Sequence, residues 1–396
     1  MFSPLSDVRV LDVTTSLAGP YCTLVLGALG ADVVKVEHPQ RGDDTRTWGP
    51  PFWEGESAVF LAANASKRSL AVDLKHPDGL EAVRRVADRS DVVVQNLRPG
   101  LAERIGLGFE ALSERNPRIV YCSIGAFGRR GPLRDHPGYD PLMQAAGGIM
   151  SVTGEPGRGP VRAGVSVIDQ GTGMWAAIGI LAALRARDAG AGAQLVDTSL
   201  YETAVNWLPY QIAGYLGSGR VPRALGTALG IISPYQAFET ADGWMMVAAG
   251  NDRQFASLCE AVDAPELAGD PRFATNPDRV GHRAELAAIL AERLRAEPTD
   301  AWLERLAAAG VPAAPVQDLA QVVAHEQTAE LGLLQPLPHP SVPGLELVGL
   351  PLSVADERVP HRSPSPALGE HTDAVLGDAG YGPEEIAALR ASGAVA

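Results

Sequence analysis

Residues 8–37, VRVLDVTTSLAGPYCTLVLGALGADVVKVE, decide the fold of this chain. Val8–Val13 is a short β-rich run, the residues after it have helical spacing as far as Gly30, and residues 31–37 form a second β-rich run. A strand, a helix and a second strand in this order predict a βαβ unit, in which the two strands run parallel.

The same alternation continues outward from this unit. Asp91–Asn96 (DVVVQN) and Arg118–Ile124 (RIVYCSI) are further β-rich runs. Between the second and third runs, residues 76–90 have the pattern of an amphipathic helix that begins at Pro77 and Asp78. We therefore predict an α/β fold with a doubly wound, mostly parallel sheet.

The turn between the first strand and helix decides against one class of protein. It reads TTSLAGP and lacks the G-x-G-x-x-G pattern that lets a pyrophosphate approach the backbone. A nicotinamide dehydrogenase is therefore a distant alternative, and Glu37 is interpreted as a structural residue at a strand end.

Charge and composition exclude other classes. The 396 residues carry a formal net charge of −14, and Lys35, Lys67 and Lys75 are the only lysines, which argues against nucleic-acid binding. The three cysteines are widely spaced and are interpreted as buried thiols, with no metal site. The apolar run at residues 174–184 is too short to span a bilayer, so we expect a soluble, cytoplasmic protein with no membrane partner.

One later segment carries a candidate catalytic group. In residues 161–187, VRAGVSVIDQGTGMWAAIGILAALRAR, a β-rich run meets Asp169, which a Gly-x-Gly turn and a long apolar helix are expected to follow. A carboxylate there lies near a helix N-terminus, where unpaired N–H groups favour an anion. The spacing alone is more typical of an Asp that only caps a helix.

Ordered motifs over residues 5–390 resemble the class III CoA-transferases, the family of formyl-CoA transferase and carnitine CoA-transferase. The matching segments are LAGPYCTLVLGALGADVVKVEHP, GDDTRTW, NASKRSLAVDLKHPDG, DVVVQNLRPG, PGYDPLMQAAGG, DQGTGMWAAIGILAAL, SPYQAFETADGW and LGEHT. The resemblance implies that Asp169 is the catalytic aspartate, which forms an acyl anhydride and then a thioester with CoA. It implies no permanently bound cofactor, since coenzyme A and acyl-CoA are substrates. Backbone N–H groups, among them those of the glycines after Asp169, would stabilise the oxyanion.

The resemblance also implies a CoA site along the carboxyl edge of the sheet. Its residues would be Leu17, Ala18, His38, Val72, Asp73, Lys75, Asn96, Leu97, Arg98, Arg104 and Tyr139. Trp48, Tyr139 and Gly230 would lie on the substrate side. Four of them have a plainer alternative: Lys75 and Arg104 as solvated charges, His38 as a loop residue, and Trp48 as a packing residue.

The α-methylacyl-CoA racemases, which resemble the same family, are the first alternative function. They pair the aspartate with the histidine of a GHD motif, whereas this chain has Gly138-Tyr139-Asp140. A tyrosine, with a pKa of about 10, is a poor second base at neutral pH, and His136 is offset by three residues. The pattern favours the transferase; a non-catalytic CoA-binding protein is the further alternative.

The substrate-side segments favour one branch of the family. The isolated Gly226 and Gly230 replace a run of glycines found in oxalate-active members, and SPYQAFETADGW resembles the succinyl-CoA-using branch that activates dicarboxylates. A second carboxylate needs a cationic partner, for which Arg46, Arg220 and Arg223 are the candidates.

The domain prediction places residues 1–205 plus 330–396 in a large CoA-binding domain and residues 226–325 in a smaller α+β domain. Residues 206–225 and 326–350 are predicted as long extended connections. The resemblance implies an interlocked homodimer, which such connections would permit.

Overall fold

The computed structural model describes residues 2–396, which pack as two compact units. The first unit contains residues up to Ile149, Ala163–Ile212 and Glu326–Ala396; the second contains Met150–Arg162 and Ala213–His325. In chain order the strands are β1 Arg9–Val13, β2 Asp32–Glu37, β3 Phe52–Trp53, β4 Glu56–Ser57, β5 Arg68–Ala71, β6 Val92–Gln95, β7 Val120–Gly125, β8 Gln194–Ser199, β9 Tyr235–Glu239, β10 Trp244–Ala248, β11 Ala313–Pro315, β12 Leu334–Pro336, β13 Glu346–Val348, β14 Ser353–Val354 and β15 Glu357–Arg358.

The α-helices within residues 2–396 number nineteen, and many are short. In chain order they are α1 Ala18–Ala28, α2 Ala58–Ala63, α3 Pro77–Asp88, α4 Leu101–Arg104, α5 Phe109–Arg115, α6 Asp140–Ala146, α7 Ile149–Val152, α8 Val167–Asp188, α9 Leu200–Asn206, α10 Pro209–Ser218, α11 Asp252–Ala261, α12 Glu266–Gly269, α13 Asn276–Gly281, α14 Arg283–Leu294, α15 Thr299–Ala308, α16 Leu319–Ala324, α17 Glu326–Glu330, α18 Thr372–Asp378 and α19 Pro383–Ala391.

A six-stranded sheet organises the first unit. Its spatial order is β5-β2-β1-β6-β7-β8, and all neighbouring strands pair in parallel. If these six strands are numbered 1 to 6 along the chain, their spatial order is 3-2-1-4-5-6. The chain therefore proceeds from β1 towards one edge of the sheet and from β6 towards the other edge. This confirms the predicted α/β class with a large parallel sheet.

Helices cover both faces of the sheet because the central strands are apolar on both sides. On one face, α1 and α8 pack on a core that includes Val10, Val33 and Val94. On the other face, α3, α5, α18 and α19 pack on a core that includes Leu11 and Val34.

Helix α8 is the principal core helix of the first unit. Its 22 residues include a stretch of 18 with a mean hydropathy of 1.4, so the helix is long and apolar enough to cross a membrane by length and composition, but half of that stretch is buried inside the unit. Burial against α1 and the sheet accounts for its apolar composition.

The second unit has its own sheet and core. Strands β9, β10 and β11 form an antiparallel sheet in the order β11-β10-β9. Helices α11 to α15 bury apolar side chains against it, among them Phe255, Leu290 and Trp302, and Phe273 from the loop between α12 and α13 joins the same core.

The two predicted connections are less extended than the sequence suggested. Residues 206–225 contain α10, and residues 326–350 contain α17 and the small antiparallel pair β12–β13. The predicted domain limits, and the role of these stretches as linkers, stay predictions.

Candidate active site

The carboxyl edge of the large sheet gathers most of the residues expected to bind CoA. Parallel strands end at one edge, and ligands in such folds bind where neighbouring strands have connections leaving in opposite directions. Here that point lies between β1 and β6. Leu17 and Ala18 follow β1, His38 follows β2, Val72, Asp73 and Lys75 follow β5, and Asn96, Leu97, Arg98 and Arg104 follow β6.

These residues differ in what their side chains offer a ligand. Lys75, Arg98 and Arg104 are exposed cations, suited to phosphate. Val72 is buried, the carboxylate of Asp73 accepts the N–H of Lys75, and His38 Nδ1 accepts the N–H of Gln40. The side-chain amide of Asn96 accepts the N–H of Thr15 and donates to the carbonyl oxygen of Thr15.

A cavity of about 210 Å³ lies between the ends of β6 and β7. Leu97 and Arg98 line it together with Ser123 and two further cations, Arg129 and Arg134. Its positive side chains fit an anionic ligand, although Glu103 and Asp135 also contribute to its wall.

Asp169 lies in the first turn of α8, which begins before Asp169 and not after a Gly-x-Gly turn, as the sequence suggested. The expected strand at residues 165–168 was wrong: the helix starts at Val167, and Ser166 precedes it without a side-chain cap. Asp169 does not cap the helix, so that plainer interpretation was also wrong.

A second carboxylate, from Asp140, caps α8. Asp140 is buried at the start of α6, and its Oδ2 accepts the N–H of Ile168 at 2.7 Å and the N–H of Asp169 at 3.2 Å. Gln144 Nε2 donates to Asp140 Oδ1 at 2.6 Å, and Gln144 Oε1 accepts the N–H of Ala163. This network was not predicted from the sequence; its signal there is an Asp-Pro helix start with a glutamine four residues later.

Burial, together with the charge of Asp140, raises the pKa of Asp169. Burial first, and the nearby negative charge of Asp140 second, raise the pKa of Asp169 to about 7. A helix N-terminus ordinarily stabilises a carboxylate. That stabilisation is weak for Asp169, because Asp140 and the local backbone engage the first N–H groups of α8.

The glycines after Asp169 serve a different purpose from the one expected. Gly171 and Gly173 lie inside α8, so they form no turn and their N–H groups are not free for an oxyanion. A Cβ atom on Gly171 would meet Trp207 at 2.7 Å, and one on Gly173 would meet the carbonyl oxygen of Ala18 at 2.6 Å. The glycines permit close packing of α8 on its neighbours.

The Gly173 contact brings two helix N-termini together. Helix α1 leaves the carboxyl end of β1 and α8 enters the amino end of β8, so both helices run in the same direction. Asp169 precedes Gly173 by four residues and lies on the same face of α8, towards the N-terminus of α1. Within residues 2–396, the N–H groups of Leu17, Ala18 and Gly19 have no protein acceptor.

The structure places the other predicted substrate residues as follows. Tyr139 is 56% exposed, immediately before Asp140, and Trp48 is 39% exposed. Gly230 lies in the second unit, where its carbonyl oxygen accepts a hydrogen bond from Arg283. The ring of His136 packs edge-on against Phe127.

Arg46 is not available to a substrate carboxylate. Its guanidinium binds both carboxylate oxygens of Glu37, at 2.7 and 2.8 Å, and lies over the ring of Phe60. This corrects its assignment as a dicarboxylate partner; Arg220 and Arg223 are exposed in the second unit.

The described residues 2–396 contain no group of three or more His, Cys, Asp or Glu side chains arranged to hold a metal ion. The three cysteines are buried and unpaired, as predicted.

Comparison with known proteins identifies the family. The model of CoA-transferase family III matches residues 5–372. The chain is 40% identical over 373 residues to human succinyl-CoA:glutarate CoA-transferase, which covers 94% of this chain and 85% of that protein. It is 41% identical over 384 residues to succinate–glutarate CoA-transferase of Agrobacterium fabrum strain C58, which covers 95% of each chain.

Among solved structures, a CAIB/BAIF family protein from Brucella suis superposes with a TM-score of 0.85 and 39% identity, covering 96% of this chain and 100% of that one. The chain therefore belongs to CoA-transferase family III. It is an enzyme that transfers CoA, which confirms the resemblance found in its sequence.

Proposed function

We propose that this enzyme moves CoA from succinyl-CoA to a small dicarboxylate of the glutarate type, with Asp169 as the covalent carrier. The observation that carries the proposal is the placement of Asp169: a carboxyl group with a pKa raised to about 7, on the face of α8 towards three unpaired N–H groups of α1. The names of the relatives, which include succinyl-CoA:glutarate CoA-transferase, support the choice of substrates.

The reaction begins with an attack by the ionised Asp169 on the thioester carbonyl of succinyl-CoA. A bond forms between the carboxylate oxygen and the carbonyl carbon, the C–S bond breaks, and CoA leaves as a thiolate. The N–H groups at the start of α1 stabilise the negative oxygen formed on the way. The product is a mixed anhydride of succinate and Asp169.

The thiolate then attacks the aspartyl carbonyl carbon and releases succinate, which leaves CoA joined to Asp169 as a thioester. The incoming dicarboxylate displaces the thiolate from this thioester and forms a second anhydride. The thiolate attacks the acyl carbonyl of the new anhydride, which yields the new acyl-CoA and frees Asp169. Each step exchanges one acyl bond for another, so the free energy of the thioester is retained.

The CoA moiety is proposed to lie along the carboxyl edge of the sheet. Lys75, Arg98 and Arg104 are exposed there and would bind its phosphates.

An exchange assay with isotopically labelled glutarate and succinyl-CoA tests the proposal. We expect labelled glutaryl-CoA by mass spectrometry, none with Asp169→Ala, and a hydroxylamine-trapped adduct on the peptide that contains Asp169. Butyrate, which lacks the second carboxylate, is the control acceptor and should react poorly. Exchange by the alanine variant would exclude the covalent step, and deuterium washout from a 2-methylacyl-CoA would favour the racemase alternative.

We further propose a cytoplasmic homodimer. An apolar strip on α8, formed by Met174, Trp175 and Ile178, is 43–52% exposed, and monomers rarely expose such contiguous patches. The three unpaired cysteines fit a reducing compartment. Light scattering should give twice the chain mass for the native protein and a lower mass for Ile178→Glu; a native monomer would contradict the proposal.

A further inference from the structure

The turn between β1 and α1, Thr14–Ser16, lies at the point where the sheet's connections diverge. Ser16 has a φ of +68°, a left-handed conformation that costs free energy for any residue with a Cβ atom. Such conformations persist only when surrounding contacts impose them, and they concentrate at functional sites. The contacts that hold Ser16 in this conformation therefore indicate which residues shape the site.

Side chains from three other places in the unit hold the backbone of this turn. Asn96, just after β6, accepts the N–H of Thr15 at 3.0 Å and donates to the Thr15 carbonyl oxygen at 2.8 Å. Lys35 Nζ donates to the carbonyl oxygen of Thr14 at 2.9 Å, and Asp43 Oδ1 accepts the N–H of Ser16 at 3.3 Å. The contacts come from β2, from the loop after it and from the end of β6.

Two fully buried ion pairs support these contacts. Lys35 binds Asp43 at 2.8 Å and Lys67 binds Asp12 at 3.1 Å, with no exposed side-chain surface on any of the four residues. Buried ion pairs add little net stability because both charges lose their hydration. Their clear effect here is geometric, since they fix the atoms that hold the turn.

The turn in turn fixes the start of α1. Gly19 packs so closely on Thr14 that a Cβ atom on it would lie 2.4 Å from the Thr14 Cβ. A shift of Thr14–Ser16 would therefore redirect the unpaired N–H groups of Leu17, Ala18 and Gly19, which the proposed mechanism uses as oxyanion donors.

We propose that Asn96 is a positioning residue for CoA transfer: its amide spans the crevice between β1 and β6 and holds the Thr14–Ser16 turn so that the first N–H groups of α1 meet the reacting carbonyl oxygen. This rests on the proposed function. It differs from a role of the Asn96 side chain as a CoA ligand, because both polar atoms of that side chain are already bound to Thr15.

The test compares Asn96→Ala with a matched control, Asn116→Ala. Asn116 also makes one donating and one accepting bond to the backbone, at the opposite edge of the sheet, although to two residues: its amide donates to the carbonyl oxygen of Ser90 and accepts the N–H of Arg118. Both variants lose two side-chain-to-backbone hydrogen bonds and should lose comparable stability. Asn96→Ala alone should lower kcat by about 100-fold while changing the Kd of CoA by no more than about threefold.

Two further measurements make the outcome decisive. Hydrogen exchange at the amides of residues 15–19 should accelerate in Asn96→Ala and stay unchanged in Asn116→Ala. Asn96→Asp keeps the acceptor for the N–H of Thr15 but sets a carboxylate oxygen against the Thr15 carbonyl oxygen. Its kcat should therefore also fall, and this variant provides the test if the alanine variant does not fold.

The inference fails if Asn96→Ala keeps kcat within about threefold of the native enzyme, or if its loss of activity follows a weaker Kd for CoA with kcat unchanged. The latter result would make Asn96 a CoA ligand. An experiment on the native enzyme separates this failure from a failure of the proposed function. If the proposed function is wrong, no adduct forms on Asp169 of the native enzyme; if only the role of Asn96 is wrong, the adduct still forms.

Discussion

Replacing Asp169 by asparagine should abolish CoA transfer and, at the same time, stabilise the protein at alkaline pH. Asparagine has nearly the same shape as aspartate but never ionises, so it cannot form the anhydride. It also removes the cost of holding a negative charge in a partly buried site beside Asp140.

The size of the stabilisation follows from the pKa of Asp169. A rise from the ordinary value of 3.8 to about 7 corresponds to about 4 kcal/mol once the group is fully ionised. The side chain is partly exposed, and solvent screening reduces the expected gain to about 2 kcal/mol. For a unit of this size that gain raises the melting temperature by roughly 5 °C.

The pH dependence gives the prediction its specific signature. Because the pKa of Asp169 is higher in the folded than in the unfolded chain, the folded state holds an extra proton between about pH 4 and pH 7. The native protein therefore loses stability as the pH rises through this window, whereas the asparagine variant does not. The advantage of the variant should be about 2 kcal/mol at pH 8 and below about 1 kcal/mol at pH 5.

Thermal melts of both proteins at pH 5 and pH 8 measure this difference. Asp188→Asn is the control, since Asp188 lies exposed at the other end of the same helix and should show no comparable gain at pH 8. A variant at position 169 that melts at or below the native temperature at pH 8, or whose advantage is the same at both pH values, would refute the account of the site.

Two further substitutions test the arrangement around α8. Asp140→Asn removes the charge beside Asp169, so the acid limb of the pH–rate profile should move to lower pH. The move should be partial, because burial is the larger cause of the raised pKa. The control is Asp135→Asn, at an exposed position in the preceding loop, which should leave the profile unchanged. Gly173→Ala forces a Cβ atom to 2.6 Å from a backbone oxygen of α1 and should cost about 1–3 kcal/mol in unfolding free energy and lower kcat. Gly377→Ala, a helical glycine with open space around its Cβ position, should instead stabilise by up to about 1 kcal/mol, and equal effects of the two glycine substitutions on melting would contradict the packing argument.

The parallel sheet was predictable because its strands carry their own signal. Apolar β-rich runs such as VRVLDV and DVVVQN are buried on both faces, and α3, which precedes DVVVQN, has the period of an amphipathic helix. The position of the polar residues that follow these strands was predictable too, since parallel strands end at the same edge of the sheet.

The start of α8 was not predictable from local sequence. Residues 165–168, VSVI, favour a strand by propensity, but a carboxylate 28 residues before Ile168 caps the backbone there and makes the helix begin at Val167. The buried cations were missed for a similar reason. Lys35 and Lys67 have the appearance of surface charges in the sequence, and only the fold brings Asp43 and Asp12 to them.

The geometry at Asp169 depends on how two parallel helices are terminated. An oxyanion donor is useful only if it is unpaired before the reaction, and a nucleophilic carboxylate is useful only if its ionised form is not strongly stabilised beforehand. The N-terminus of α8 is closed by Asp140, which denies Asp169 the N–H groups that would make it a weak base. The N-terminus of α1 is left open, and the Thr14–Ser16 turn holds it in place. Capping one helix and not the other thus fits the roles proposed for Asp169 as the nucleophile and for the α1 N–H groups as oxyanion donors, and moving the cap from α8 to α1 should remove both properties at once.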